Sequence, residues 1–140
     1  MLAPSNLTHN GHIFEKGVVN SQYSMFLNGA NFIWRNHIDG TTRNLSTATS
    51  GVCPANTWSL VTCTYDGSHQ RIYRNGSLVT SRSQTGTIST NTQNTWIGCY
   101  GGAGSYFYNG KIATVRVYNK CLTADQIASQ FNAQRNRFKV

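Results

Sequence analysis

The chain has 140 residues, a length typical of one domain and sufficient to bury a core without a metal or a disulfide. Only 11% of its residues are charged, whereas 51 are Asn, Ser, Thr or Gln, so the sequence predicts a polar but largely uncharged surface. The net charge of +8 favours anionic partners. The basic residues are scattered rather than interleaved with aromatic residues, so specific nucleic-acid binding is not expected. No apolar run approaches membrane-spanning length.

The first fifty residues read as a polar arm followed by short strands. Residues 1–11 are loop-like. Asn28-Gly29 and Asp39-Gly40 are turn dipeptides that separate antiparallel partners. The strands predicted in this part are His12–Gly17, Tyr23–Leu27, Asn31–Arg35 and a weak edge strand at Thr41–Ser50.

The stretch Trp58–Thr80 predicts a three-stranded meander. A period-2 pattern runs from Trp58 to Tyr65 and is broken by Asp66-Gly67. A short strand around Ile72 ends at Asn75-Gly76, the strongest local signal for a tight turn with two positive φ angles. The rest of the chain must then supply a second layer that covers the apolar face of the meander.

Residues 81–118 alternate between loops and strands. A short strand is predicted at Thr87–Ser89 and another at Trp96–Tyr100, followed by a glycine-rich loop and a turn at Asn109-Gly110. Lys111–Tyr118 is the last clear strand, and its pattern is close to that of a strand buried on both faces.

One helix is predicted, from Ala124 to about Ala133. Thr123 and Gln126 have the spacing of a capping box, and Leu122 and Ile127 occupy the positions of a hydrophobic staple. Cys53, Cys63, Cys99 and Cys121 show no metal-ligand or redox spacing, so buried free thiols are expected, with disulfides as the alternative in an oxidising compartment.

Three segments resemble the concanavalin A-like lectin/glucanase superfamily in its laminin-G-like form. They are WSLVTCTYDGSHQRIYRNGSLV, TWIGCY and YNGKIATVRVYNKCLTADQI. The resemblance covers roughly residues 12–134 and implies an all-β fold, a two-sheet antiparallel jelly-roll sandwich with one short C-terminal helix. On this basis residues 1–11 are an N-terminal arm and residues 135–140 a basic C-terminal tail.

The sequence departs from this family in two respects. Family domains usually have one or two strands ahead of the segment equivalent to HIFEKG, so either residues 1–11 form a minimal strand or a sheet edge stays open for another chain to cover. Many such domains bind Ca²⁺ through oxygens of rim loops. Here Asp39 and Asp66 each lie in an Asp-Gly turn, where an Asx-turn explains them, so no metal site and no cofactor is expected.

Catalysis is not expected, because glycoside hydrolysis needs two neighbouring carboxylates and the four acids are widely separated along the chain. Binding is the better hypothesis, since carbohydrate sites combine aromatic faces with amide and hydroxyl groups. The candidate ligand-binding residues lie in the glycine-rich loop and in two nearby turns: Tyr100, Ser105, Tyr106, Tyr108, Asp66, His69 and His37. The three tryptophans, Trp34, Trp58 and Trp96, are expected in the core.

The ending QFNAQRNRF resembles the tails of such domains in bacteriophage virion proteins, and no export signal follows Met1. The predicted function is therefore a non-catalytic structural or adhesive module of a phage particle, a capsid decoration or fibre protein. Arg135, Arg137 and Lys139 are its candidate attachment residues, with other virion proteins or further copies of the chain as partners. The alternative is a lectin-like module, extracellular or on a cell surface, that recognises a host glycan.

Overall fold

A computed structural model describes residues 1–18, 22–101 and 106–140 of the chain. The fold is mostly β. In chain order the elements are β1 (Leu2–Pro4), β2 (Gly11–Lys16), β3 (Tyr23–Asn28), β4 (Asn31–Ile38), β5 (Thr41–Ala48), α1 (Thr49–Val52), β6 (Val61–Tyr65), β7 (His69–Arg74), β8 (Ser77–Ser83), β9 (Thr95–Ile97), β10 (Gly110–Ile112) and α2 (Ala124–Phe138).

Two antiparallel layers form a sandwich, which confirms the predicted fold class. One layer is a five-stranded sheet with the order β5-β4-β3-β2-β9. The other consists of the pair β1-β10 and the meander β6-β7-β8. Leu2 joins these two pieces, because its amide and carbonyl both form 2.9 Å hydrogen bonds with Ser59, just ahead of β6.

The core lies between the two layers and draws apolar side chains from both. Its buried members are Leu2, Ile13, Leu27, Phe32, Trp34, Leu45, Val52, Cys53 and Ile72. Trp34 was correctly predicted as a core residue, whereas Trp58 and Trp96 are only half-buried. The Trp58 ring lies 5.2 Å from that of Phe138, at the end of α2.

A β-bulge in β2 decides which side chains face the core. His12 pairs with Phe26 and Phe14 pairs with Met25, which leaves Ile13 as an extra residue between them. Met25, Ile13 and Leu27 pack in or against the core. Because side chains alternate along β3, Phe26 and its partner His12 therefore lie on the outer face of the five-stranded sheet.

The turn at Asn75-Gly76 is confirmed, with φ of 50° and 87°. The predicted turn at Asn109-Gly110 is wrong, because the Asn109 carbonyl accepts the Ser5 amide at 2.9 Å and Gly110 begins β10 opposite Pro4. Gly110 is required for another reason: a Cβ there would lie 2.5 Å from the carbonyl oxygen of Ala3, so only glycine lets β1 and β10 approach this closely.

The strand predicted at Lys111–Tyr118 is also shorter than expected. The strand β10 ends at Ile112, and Val117 and Tyr118 are exposed by 55% and 43% rather than buried. Beyond Ile112 the Ala113 amide donates to the Met1 carbonyl at 3.0 Å and the Met1 amino group donates to the Thr114 carbonyl at 3.2 Å, so the contact with the segment of β1 extends to Thr114. Residues 1–11 thus contain a minimal strand, one of the two alternatives predicted for them.

Two smaller expectations are also corrected. The strand at Thr87–Ser89 is reduced to a single bridge between Ile88 and Ile38. The weak edge strand is confirmed as β5, but its last residues turn into the short helix α1, which the sequence did not indicate.

The C-terminal helix begins where the sequence predicted and ends later. The Thr123 hydroxyl accepts the amide of Gln126 at 3.2 Å and the Gln126 side chain accepts the amide of Thr123 at 3.1 Å, which confirms the capping box. Leu122 and Ile127 are buried together against Tyr73. The helix continues to Phe138, so most of the predicted tail is its last turn.

All four cysteines are free thiols, but of the buried thiols that were predicted only Cys53 is buried, since Cys63 and Cys99 are half-buried. Cys53 is fully buried, and burial raises its pKa to about 12, so it behaves as a small apolar residue. Cys121 is exposed. No helix within the described residues has the length and apolar character needed to cross a bilayer.

The Asp66-Gly67 turn between β6 and β7 is fastened by one carboxylate. Asp66 Oδ1 accepts hydrogen bonds from the amides of Ser68 and His69 at 2.9 and 2.7 Å, which confirms the Asx-turn. Its Oδ2 lies 2.5 Å from Arg71 Nη1. This guanidinium, helped by the hydrogen bonds from Ser68 and His69, holds the pKa of Asp66 well below its usual range.

Gly110→Ala should destabilise the fold, because its methyl group would meet the Ala3 carbonyl at 2.5 Å and force β1 away from β10. We expect the free energy of unfolding, measured with urea, to fall by about 1–3 kcal/mol. Gly51→Ala is the control, since a Cβ there has no atom within 4 Å. A change at Gly110 no larger than at Gly51 would contradict this account.

Asp66→Asn should lower stability at neutral pH but not in acid. Asparagine keeps the Asx-turn acceptor and loses the charge that faces Arg71. Because the folded-state pKa of Asp66 is depressed, its contribution is present above the unfolded value of about 3.9 and is lost as the pH falls through the folded value. The partly exposed pair should contribute at most about 1 kcal/mol.

The measurement is urea unfolding of both proteins from pH 7 to pH 2. The stability difference should shrink below about pH 4. When Arg71→Gln is added to both proteins, the effect of Asp66→Asn at pH 7 should become smaller, because the cation that faces the carboxylate has been removed. A difference that stays constant down to pH 2 would argue against the ion pair as its cause.

Candidate functional site

The described ends of the glycine-rich loop, residues 98–101 and 106–107, lie beside the backbone of β2. The His12 amide donates to the Tyr106 carbonyl at 3.0 Å, and the Tyr108 amide donates to the Gly98 carbonyl at 2.8 Å. The Tyr100 hydroxyl donates to the Val18 carbonyl at 3.3 Å. The described ends of this loop are therefore joined to each other, to His12 of β2 and to Val18 just beyond β2.

A row of aromatic and polar side chains crosses the sheet from this loop to β5. We call it the outer-face stripe. It consists of Tyr106, Tyr100, His12, Phe26, Arg35 and Asn44. Each member contacts the next, but His12 and Phe26 in the middle of the row are buried, so only its two ends reach the surface.

The contacts within the outer-face stripe are close and well oriented. The Tyr100 ring meets those of Tyr106 and His12 edge-on, with centroids 6.0 and 4.9 Å apart. His12 stacks on Phe26 at 4.7 Å with only 5° between the ring planes. The Arg35 guanidinium carbon lies 4.5 Å from the centroid of the Phe26 ring, an attractive cation–π arrangement.

The polar groups of the stripe are held in place by their neighbours. Arg35 Nε donates to Asn44 Oδ1 at 3.1 Å, across β4 and β5. Burial lowers the pKa of Arg35, while the charge of Glu15 acts in the opposite direction. The Glu15 carboxylate is fully buried, with Oε2 3.0 Å from His12 Nδ1. Glu15 thus supports the stripe from within and does not face solvent.

Two aromatic side chains at the loop end of the stripe are largely open to solvent. Tyr106 is 55% exposed and Phe107 is 62% exposed. Leu78 with Val79 and Val117 with Tyr118 are also exposed, but only Tyr106 and Phe107 adjoin the aromatic side chains of the outer-face stripe among these pairs. We call Tyr106 and Phe107 the aromatic platform. The Tyr106 ring meets that of Tyr100, whereas Arg35 lies at the other end of the outer-face stripe, beyond His12 and Phe26.

The structure brings together only part of the predicted site. Tyr100 and Tyr106 meet in the outer-face stripe. Ser105 lies outside the described residues. The Tyr108 ring packs against the core, and burial raises the pKa of its hydroxyl. Sequence reasoning placed it on the loop surface, but its position after the loop returns it to the sheet.

Asp66, His69 and His37 belong to a different group of loops. The Asp66-Gly67 turn joins the loop after β8, where the Gly86 amide donates to the Gly67 carbonyl at 3.2 Å. His37 is buried on β4, with Nδ1 3.5 Å from the Thr42 hydroxyl. Among the described residues, no contact links these three side chains to the aromatic platform.

The two turn aspartates use their oxygens within the fold. Asp66 fastens its own turn, as predicted. Asp39 was expected to form an Asx-turn. Instead its Oδ1 accepts the amide of Thr87 at 3.0 Å, which connects the β4–β5 turn to a loop distant in sequence. Across the described part of the chain, no group of three or more His, Cys, Asp or Glu side chains lies where it could hold a metal ion.

Sequence reasoning missed His12, Phe26, Arg35 and Phe107. The alternation in YSMFLN does place Phe26 on the face opposite Met25 and Leu27, so this residue could have been found. The position of His12 on this face could not have been predicted, because the bulge at Ile13 interrupts the alternation of side chains along β2. The exposure of Phe107 depends on the path of the loop, which has no periodic signal.

Solved structures with a similar fold include toxin binding domains. The receptor-binding domain of botulinum neurotoxin type G has a TM-score of 0.64 and 20% identity, over 95% of this chain and 36% of that one. The binding domain of Paraclostridial mosquitocidal protein 1 has a TM-score of 0.67 and 18% identity, over 96% and 35%. A botulinum neurotoxin type C structure has a TM-score of 0.59 and 17% identity, over 94% and 33%.

At these identities the similarity establishes the fold alone, and this chain spans about a third of the length of the solved chains. No curated protein matches it. A laminin-G-like family profile matches residues 2–128, nearly the whole sandwich and the start of α2. The chain therefore belongs to the concanavalin A-like lectin/glucanases superfamily.

Proposed function

We propose that this domain is a non-catalytic carbohydrate-binding module and that a glycan binds on the aromatic platform beside the outer-face stripe. The observation that carries the proposal is the exposure of Tyr106 and Phe107, at 55% and 62%, next to a row of ordered polar groups. The apolar face of a sugar ring packs on an aromatic side chain and is buried there, and neighbouring polar groups orient the sugar by hydrogen bonds.

The stripe supplies the polar part of such a site. A guanidinium has five N–H donors, and Arg35 uses Nε for Asn44, which leaves its terminal nitrogens as donors for a ligand. His12 and Tyr100 stand between Arg35 and the platform. Because these groups are packed against one another before any ligand arrives, binding would require little further ordering of side chains.

The positive charge of the chain favours an acidic glycan over a neutral one. The chain has a net charge of +8, which attracts anionic ligands at long range. Arg35 is the cation nearest the centre of the stripe, and the Glu15 carboxylate is buried beneath it. The comparison that supports this part of the proposal is botulinum neurotoxin type C, whose cell entry depends on interaction with two ganglioside molecules.

The surroundings of the Glu15, Asp39 and Asp66 carboxylates support the proposal that the domain is not catalytic. Glycosidases place two carboxyl groups on either side of the bond they cleave. Glu15 is buried against His12, Asp66 is paired with Arg71, and Asp39 holds the Thr87 amide. Each of these side chains has a structural partner, and none lies on the aromatic platform.

The virion setting predicted from the sequence stays a prediction, as does attachment through Arg135, Arg137 and Lys139. These three side chains are exposed at the end of α2, and Arg135 and Arg137 each lie within 6 Å of a phenylalanine ring of the same helix, at 5.7 and 5.6 Å. They are available to an anionic partner. A glycan-binding module could serve a phage fibre or a secreted protein equally well.

Replacing either residue of the aromatic platform should weaken glycan binding without unfolding the domain. We expect Tyr106→Ala and Phe107→Ala each to weaken binding about tenfold, close to 1.4 kcal/mol, as the sugar loses a ring to pack on. The measurement is a glycan array followed by titration calorimetry of the best ligand. Leu78→Ala is the control, since Leu78 is 53% exposed on β8 and lies outside the stripe.

Arg35→Gln provides a second comparison. It should weaken binding of acidic glycans more than of neutral ones, because the charge is lost and the side chain keeps a donor. If the double variant Tyr106→Ala/Phe107→Ala binds the same glycans as the unchanged chain, the site lies elsewhere and the proposal fails.

A further inference from the structure

A small cleft lies on the second layer of the sandwich, where β1 runs between two neighbouring segments. Its volume is about 140 Å³, and five residues line it: Ala3, Ser5, Asn56, Trp58 and Lys111. We call it the Trp58 cleft. Cavities for drug-sized ligands begin at about 300 Å³, so this cleft accepts one ring or one small polar group rather than a long ligand.

Ala3 forms the floor of the Trp58 cleft and Lys111 forms one wall. Leu2 and Ile112 pair across β1 and β10 and pack in or against the core. Because side chains alternate along a strand, the next pair, Ala3 and Lys111, faces away from the core. Lys111 is exposed. The floor between the walls therefore carries only a methyl group.

Trp58 forms the opposite wall. On the other side of β1, Leu2 and Ser59 exchange two hydrogen bonds of 2.9 Å, and this antiparallel pairing places Trp58 beside Ala3. Adjacent strands lie about 4.8 Å apart, so the backbones that carry Trp58 and Lys111 are roughly 10 Å apart. One ring can lie against the indole in the space between them.

The Trp58 indole is held in place from outside the cleft. Its ring centroid lies 5.2 Å from that of Phe138, which does not line the cleft. The Arg137 guanidinium carbon lies 5.6 Å from the centroid of the Phe138 ring and adds positive charge nearby. Trp58 is half-buried, so part of the ring stays open to a ligand. Binding would need little further ordering of this side chain.

The polar side chains of the cleft have no partner within the fold. In the part of the chain that the structure describes, none of the side chains of Ser5, Asn56 and Lys111 forms a hydrogen bond or an ion pair with another residue. By contrast, Asn75 Oδ1 accepts the Leu60 amide at 2.9 Å. A hydroxyl, an amide and an ammonium group, which include both donors and acceptors, are thus available to one ligand.

The charge at the cleft selects an anionic group. Asp125 lies in the first turn of α2, thirteen residues before Phe138 and so about 20 Å along the helix from the contact with Trp58. The other three acids have partners elsewhere in the fold: Glu15, Asp39 and Asp66. Lys111 is therefore free to pair with the carboxylate of a ligand.

We propose that the Trp58 cleft binds a single sugar unit that carries a carboxylate, such as a uronic acid. The carboxylate pairs with Lys111, the apolar face of the sugar ring packs on Trp58, and the sugar hydroxyls form hydrogen bonds with Ser5 and Asn56. This site is separate from the aromatic platform, none of whose residues lines the cleft.

The backbone of the floor favours a sugar over a peptide. Leu2 exchanges both of its main-chain hydrogen bonds with Ser59, and the Ser5 amide donates to the Asn109 carbonyl at 2.9 Å. Ala3 lies between them in the ladder with β10. The main chain of β1 is thus bonded on both sides at the floor, and a ligand must be held by side chains, as hydroxyl groups on a ring can be.

An NMR titration with methyl glucuronide tests this proposal. We expect the indole N–H signal of Trp58 and the backbone amide signals of Ser5 and Asn56 to shift. The dissociation constant should be about tenfold lower than that for methyl glucoside, which lacks the carboxylate. Acetate and the amide of N-acetylglutamate are the control ligands, because they carry a carboxylate without a sugar ring.

Variants locate the site. Lys111→Gln should weaken glucuronide binding about tenfold and remove the preference over glucoside. Lys120→Gln, the same change at another exposed lysine outside the cleft, should alter binding less than about twofold. Asn56→Gly tolerates the φ of 56° at this position and should weaken binding of both sugars. Trp58→Leu keeps an apolar contact for Phe138 and should do the same, with thermal unfolding as the check on folding.

Several results would overturn the proposal. Signals of the cleft that stay unshifted by glucuronide, or equal affinities of the two lysine variants, would show that the cleft is not the site. Shifts of the same size with acetate would show an anion contact only, and equal affinity for N-acetylglutamate amide would make an acidic peptide the ligand.

The aromatic platform provides the remaining comparison. The double variant Tyr106→Ala/Phe107→Ala should keep the glucuronide affinity of the cleft within about twofold, because the two sites share no residue. Loss of glucuronide binding in this variant would assign the sugar to the platform and overturn the separate site. Failure of the platform to bind any glycan would leave the cleft titration unchanged, so the two proposals fail independently.

Discussion

The pairing of β1 is the interaction on which the second layer depends. Three residues, Leu2–Pro4, lie between the segment before β6 and the strand β10, and Leu2 exchanges both backbone hydrogen bonds with Ser59. Without this strand, β10 would have no neighbour and the meander β6-β7-β8 would be separate from it. The absence of a side chain at Gly110 follows from the same contact.

Local signals predicted much of the fold correctly. The positions of β2, β3 and β7 follow from alternation, and the Asn75-Gly76 turn and the Thr123 capping box follow from residue types with well-defined preferences. The errors concern pairing over long sequence distances. Residues 115–118 have a strand pattern as good as any in the chain but are not assigned to a strand, because a strand is defined by its pairing and sequence periodicity does not specify the partner.

The candidate site was predicted only in part for a related reason. The loop was chosen because aromatic residues and glycines stand together there, and Tyr100 and Tyr106 do meet. The residues that complete the surface, His12, Phe26 and Arg35, come from three different strands. Their convergence is a property of sheet order and of which face each strand presents, so no local pattern contains it.

The bulge at Ile13 has a consequence for comparing this domain with its relatives. In a regular strand, residues three apart point in opposite directions, yet His12 and Glu15 share one face because the extra residue shifts the phase. An alignment that ignores this offset would assign one of the two to the interior. Relatives that lack the additional residue should place a matching acid two positions after the histidine instead of three.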